Sequence, residues 1–143
     1  MSKEHPVKRF IDAQEAVYQH ALSEIKNGRK QSHWMWFIFP QIQGLGSSET
    51  SKFYAIKNAE EAEQYLQQPV LGSRLIEICR ELLQLEENDA NRIFGSPDDM
   101  KLKSSMTLFA SLPVTDPVFQ QVLDKYFDGK RDSRTLGILD RQK

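Results

Sequence analysis

The sequence predicts an all-α fold, a single compact domain over residues 1–143 with about seven short-to-medium helices packed irregularly. Three observations predict it. Apolar residues recur at three- to four-residue spacing through most segments. Helix-start and helix-stop residues punctuate the chain at intervals too short for four long bundle helices. The composition, 39% hydrophobic and 27% charged, is that of a folded globular chain, without repeat, linker or low-complexity segment.

Phe10, Ala13, Val17, Ala21 and Ile25, widened by Tyr18 and Leu22, predict one helix from about residue 7 to 27. Asn27-Gly28 stops it, because glycine accepts the left-handed conformation that closes helices. Ser32 to Pro40 is apolar on every face and must be almost wholly buried. Its period does not separate helix from strand and its aromatics favour strand. The helical neighbours argue for a short buried helix, capped by Ser32 and ended by Pro40. Gln41 to Ser48 is a loop by its glycines and serines, and Ser51 to Ile56 a short helix or turn.

Asn58-Ala59-Glu60-Glu61 has the form of a capping box and opens a helix through Leu66. Pro69 opens the next at a position where proline costs nothing; Val70, Leu71, Leu75, Ile78, Leu82 and Leu83 form its inward stripe. Ser96-Pro97-Asp98-Asp99 combines a cap, a first-turn proline and two acids at the positive end of the helix dipole. Met100, Met106, Leu108 and Phe109 then face inward. Thr115-Asp116-Pro117 repeats the signal ahead of Val118, Phe119, Val122, Leu123, Tyr126 and Phe127, and Asp128-Gly129 ends that helix. Asp132 or Ser133 caps a last short helix through Leu139.

Lys and Arg number 19 against 20 Asp and Glu, so the basic excess of a general nucleic-acid binder is missing. The nearest basic cluster, Lys26, Arg29 and Lys30, reads as the solvated end of a helix. The Met-Ser-Lys-Glu-His start carries no apolar stretch, and the longest apolar run, Trp34 to Pro40, is too short to cross a bilayer. The expectation is a cytoplasmic chain with neither nucleic acid nor membrane as partner. The single cysteine, Cys79, sits in a helical stretch and reads as a core residue. His5, His20 and His33 are isolated, so neither a metal site nor a cofactor is expected.

Three segments have the residue types of a ligand site. Gly44, Gly46 and Ser48 form a glycine-serine loop before a helix start. Such a loop lets a backbone approach an anion, although turn geometry accounts for the glycines too. His33, Trp34 and Gln41 flank it, and aromatic walls with a few polar groups suit a small ligand, although a core accounts for the tryptophans too. Lys130, Arg131 and Arg134 lie in a polar stretch that reads either as a solvated loop or as an anion-binding one.

Gly28 to Gln41, containing His33-Trp34-Met35-Trp36 ahead of Phe39-Pro40-Gln41, then Gly44-Leu45-Gly46 and Tyr54-Ala55-Ile56, resembles domain of unknown function 1810. Tyr65-Leu66, Pro69 to Leu75, Phe94-Gly95 with Asp98 and Lys101, Ser104 to Phe109, and Gly129 with Asp132 and Thr135-Leu136 extend the resemblance over nearly the whole chain. It implies an all-helical single domain and no established activity. Members are sometimes labelled calpastatin, but that inhibitor's active regions are disordered and repeated, and this chain has no repeat. A fainter similarity, through Lys103 to Met106, Phe119 to Lys130 and Leu136 to Leu139, is to the NADAR family, which acts on ADP-ribose derivatives.

Together these features lead to a pocket for a small anionic or nucleotide-like ligand. His33, Trp34 and Gln41 shape it, and Gly44, Gly46 and Ser48 offer donors. Lys30 or Arg74 meets the charge, and Lys101, Asp98 and Asp132 are further candidates. Were the chain an enzyme, His33 or an aspartate would be its general base. The alternative is a protein-interaction module without catalysis, which requires the tryptophan-rich segment to form an exposed apolar patch.

Overall fold

In the computed structural model, which describes residues 7–143, ten α-helices follow one another with no strand among the described residues. They are α1 (Lys8–Gln14), α2 (Tyr18–Lys26), α3 (Met35–Ile38), α4 (Glu49–Tyr54) and α5 (Ala59–Gln67). The second half contributes α6 (Pro69–Gln84), α7 (Ala90–Phe94), α8 (Asp98–Ala110), α9 (Val118–Phe127) and α10 (Ser133–Arg141). The all-α reading holds. The count exceeds the expected seven because one predicted helix is two, the stretch expected as a short helix or turn forms α4, and α7 is an additional helix. His5 lies outside the described residues.

Local chemistry sets several of the helix ends. Asn58 Oδ1 accepts from the Glu61 N–H at 2.9 Å to start α5, and Asp132 Oδ2 accepts from the Thr135 N–H at 2.9 Å to start α10. Pro69 sits in the first turn of α6, and α9 ends at Asp128 and Gly129, both at positive φ. Other caps differ from expectation. Ser32 does not cap α3; Trp34 occupies the N-cap position and the Ser32 hydroxyl donates to Glu24 instead. Pro97, not Ser96, occupies the N-cap of α8. The unforeseen α7 has its own local signals, an Asp89 carboxylate accepting from the Asn91 N–H at 2.9 Å and Gly95 at φ 74°.

The predicted 7–27 helix turns at residues 15–17, between α1 and α2. The turn leaves Gln14 buried at the end of α1, where its amide donates to the Phe37 carbonyl at 2.7 Å and to the Tyr65 hydroxyl at 2.9 Å. No glycine or proline marks the break. The buried amide at the break is satisfied by groups from two other elements.

Two helices organise the core. α6 packs on α1, α2, α5 and α9, while α8 packs on α5, α7, α9 and α10. Leu102 and Ser104 to Phe109 are all buried, so α8 is enclosed on nearly every face beyond its first turn. Met100, in that first turn, is 48% exposed, and Val70 at the start of α6 is 39% exposed; both were expected to face inward. No helix among the described residues is long and apolar enough to cross a membrane.

Candidate functional site

Four of the expected site residues converge around one carboxylate. Asp98, in the first turn of α8, lies 2.9 Å from Lys30 Nζ and 3.3 Å from Lys101 Nζ. The Lys30 ammonium is 5.0 Å above the Trp34 ring and that of Lys101 is 5.1 Å above the Trp36 ring. The Lys30 side chain is only 8% exposed, and its backbone N–H donates to the Ile93 carbonyl at 2.7 Å. The cluster therefore ties the 28–34 segment to α7 and α8. Its Lys30 charge is already committed to Asp98, as a buried cation must be to be tolerated.

Trp34 is a core residue. Its side chain is wholly buried and its indole N–H donates to Glu24 Oε1 at 2.9 Å. Glu24 also accepts from the Gln31 N–H at 2.7 Å, the Ser32 N–H at 3.0 Å and the Ser32 hydroxyl at 2.6 Å. Burial alone would raise this carboxyl, but these donors outweigh it and hold the group down at about 2. Met35, Ile38 and Phe39 are buried with Trp34, and Trp36 and Phe37 are half-buried, so the segment offers no broad apolar face. His33 is exposed.

The glycine loop is closed by a backbone clasp. Ile42 and Ile56 form an isolated parallel bridge, with the Ile56 N–H donating to the Gln41 carbonyl and the Gln43 N–H to the Ile56 carbonyl, each at 2.8 Å. Ser48 caps α4, its hydroxyl accepting from the Ser51 N–H at 3.1 Å. Gly46 packs so close to that cap that a Cβ there would lie 2.6 Å from Ser51 Oγ. Trp36, Gln41, Gly44 and Gly46 line a cleft of about 30 Å³, which is water-sized. It is too small for a ring.

A ligand-sized space lies on the other side of Gly44. An open groove of about 560 Å³ separates the loop from α10. Gln43, Gly44 and Lys57 line one wall; Ser133, Arg134, Gly137, Ile138 and Arg141 line the other, with Gln142 at the end. Gly44 has φ 108°, a conformation that other residues adopt only under strain, and a Cβ there would lie 3.3 Å from Ile138 Cδ1. Lys57, Arg134 and Arg141 are exposed, and none of the residues lining the groove is acidic. A second groove, on the opposite side of α10, has Glu60, Glu63 and Asp140 on its rim.

Arg74 and Asp132 take structural positions. The Arg74 guanidinium lies 5.1 Å over the Tyr18 ring and 3.9 Å from Glu15, on the α1–α2 side of α6. Asp132 accepts from both the N–H and the hydroxyl of Thr135, at 2.9 and 2.6 Å, while its own N–H donates to Thr107 Oγ1 at 2.8 Å. Of the expected site residues, Gly44 alone lines the groove between the loop and α10. Arg134 is one of the three basic residues the sequence offers for a stretch that is either solvated or anion-binding, whereas the sequence reading does not single out Lys57, Gly137 or Arg141. The available signal was the placing of two arginines seven residues apart with a glycine between them, which puts both on one helical face.

Residues 4–139 match the family model described as protein of unknown function (DUF1810), and the chain belongs to that family. Its fold is similar to that of the conserved hypothetical protein Rv1873 from Mycobacterium tuberculosis, with TM-score 0.91 and 46% identity, over 94% of this chain and 96% of that one. No curated protein matches the chain.

Proposed function

We propose that this DUF1810 protein binds a small anionic or nucleotide-like ligand, and that the site is the groove between the glycine loop and α10. One observation carries the reading. Three cationic side chains, Lys57, Arg134 and Arg141, line a ligand-sized space with no carboxylate among the lining residues. Guanidinium groups suit planar or tetrahedral oxyanions because two parallel N–H donors meet two oxygens. Gly44 supports the reading, since its missing side chain keeps the opposite wall open. The Lys30–Asp98–Lys101 cluster serves in this reading as the brace that holds the tryptophan segment to α8.

The test is thermal unfolding against a panel of phosphate, nucleotides, NAD and ADP-ribose, the last two prompted by the fainter family likeness. A ligand present at a hundred times its Kd adds about 2.7 kcal/mol, a readily seen rise in Tm. The expected result is a rise with wild type that disappears in Arg134→Ala and Lys57→Ala, both exposed positions. A panel that leaves Tm unchanged overturns the reading.

A further inference from the structure

Resting on that reading, we infer that the groove is built for linked phosphates, an oligophosphate group rather than a lone phosphate. Arg134 and Arg141 stand seven residues apart on α10, about two turns, so they share a face with their Cα atoms about 10 Å apart. Held straight out, two such side chains would meet two separate anions. Arg141 is not held straight out. Its Nη1 lies 3.5 Å from the point where a Cβ on Gly137 would sit, so its guanidinium lies back along the helix over the glycine, toward Arg134. Lys57 faces this pair from the other wall, and Gln142 Nε2 donates to the Lys57 carbonyl at 3.0 Å, tying that wall to α10.

The groove thus gathers cationic groups from two walls, Arg134 and Arg141 on α10 and Lys57 opposite. A single phosphate satisfies one of them, whereas a diphosphate spreads its oxygens among them and gains a second charge-assisted contact. Asp140, on the same helix, does not compete: it lines the opposite groove, 3.6 Å from Lys143. The shared ligand chemistry is the phosphoanhydride chain, whether free or carried by a nucleoside.

Calorimetric titration of the full chain with orthophosphate, pyrophosphate, AMP and ADP tests it. Pyrophosphate is expected to bind at least roughly tenfold tighter than orthophosphate, and ADP tighter than AMP by a similar factor. ADP and pyrophosphate binding alike points to the free chain, and ADP binding more tightly points to a nucleoside carrier; both support the inference. Arg141→Gln, an exposed change that leaves the helix intact, is expected to erase the preference while orthophosphate still binds. Gly137→Leu, which displaces the guanidinium, is expected to do the same. Equal affinity for orthophosphate and pyrophosphate overturns the inference and leaves the anion reading standing. Binding of ADP without pyrophosphate also overturns it, and binding of none of the four overturns both.

Discussion

The indole N–H of Trp34 donates to Glu24 Oε1 at 2.9 Å, joining the wholly buried tryptophan to a carboxylate at the last turns of α2. That carboxylate also takes the Gln31 and Ser32 backbone N–H groups and the Ser32 hydroxyl. One side chain thus sets the path from α2 into the tryptophan segment.

Acid sensitivity should trace in part to Glu24. Its folded carboxyl titrates at about 2, below the ordinary value of about 4.3 expected in the unfolded chain. A depressed carboxyl contributes stability that is full above the unfolded value and is lost as pH falls from there through the folded one. Urea unfolding at pH 5 and pH 2.5 should show a smaller loss of stability for Glu24→Gln than for wild type. Glu24→Ala should cost about 1 kcal/mol at neutral pH, a figure discounted for the group's contact with solvent. An unchanged acid profile in Glu24→Gln would remove the residue from this role.

Gly72→Ala should destabilise, against the expectation for a helix interior. Alanine ordinarily gains about 1 kcal/mol over glycine inside a helix. Here a Cβ would stand 2.1 Å from the Leu66 carbonyl oxygen, a backbone atom of α5. The helices must separate to admit it, at a cost of about 1–3 kcal/mol. A raised denaturation midpoint for the variant would contradict the packing described.

Two hydroxyls in α8 should respond oppositely. Ser105 Oγ is buried and makes no hydrogen bond to the described residues, so Ser105→Ala should leave stability unchanged or raise it by about 1 kcal/mol. Thr107 Oγ1 donates to the Lys103 carbonyl and accepts from the Asp132 N–H, both at 2.8 Å. Thr107→Val keeps the shape, strands the Asp132 donor and should cost about 1–2 kcal/mol. Parallel denaturant titrations check both, and equal losses would refute the contrast.

Cys79 should be inert in the folded protein. The thiol is wholly buried with Sγ 3.6 Å from Met106 Sδ, and burial pushes its pKa far above the ordinary thiol range. A disulfide reagent should label it only on the timescale of unfolding and then stoichiometrically in denaturant. Rapid labelling under native conditions would show an opening that the packing of α6 against α9 and the Cys79–Met106 contact do not provide.

The helix ends were legible where their chemistry is local. Asn58, Pro69, Asp128-Gly129 and Asp132 act on backbone groups within one turn, so their neighbours in the sequence suffice to read them. The groove was legible only in part. Gly44 and Arg134 stood out as residue types, but nothing along the chain says that the loop around one faces the helix carrying the other.

By itself the sequence determined an all-α domain, the chemistry at several of its helix ends, the burial of Cys79 and of most of the tryptophan segment, and an absence of basic excess. These rest on composition and on contacts within a few residues. Tertiary structure alone decided that the first helix breaks after Gln14, that Trp34 is core while Trp36 lines a cleft, and that Lys30 is spent on Asp98. It alone set Lys57 opposite Arg134 and Arg141. Each of these depends on which groups remote in sequence must share one buried site, and burial couples partners by distance in space rather than by position along the chain.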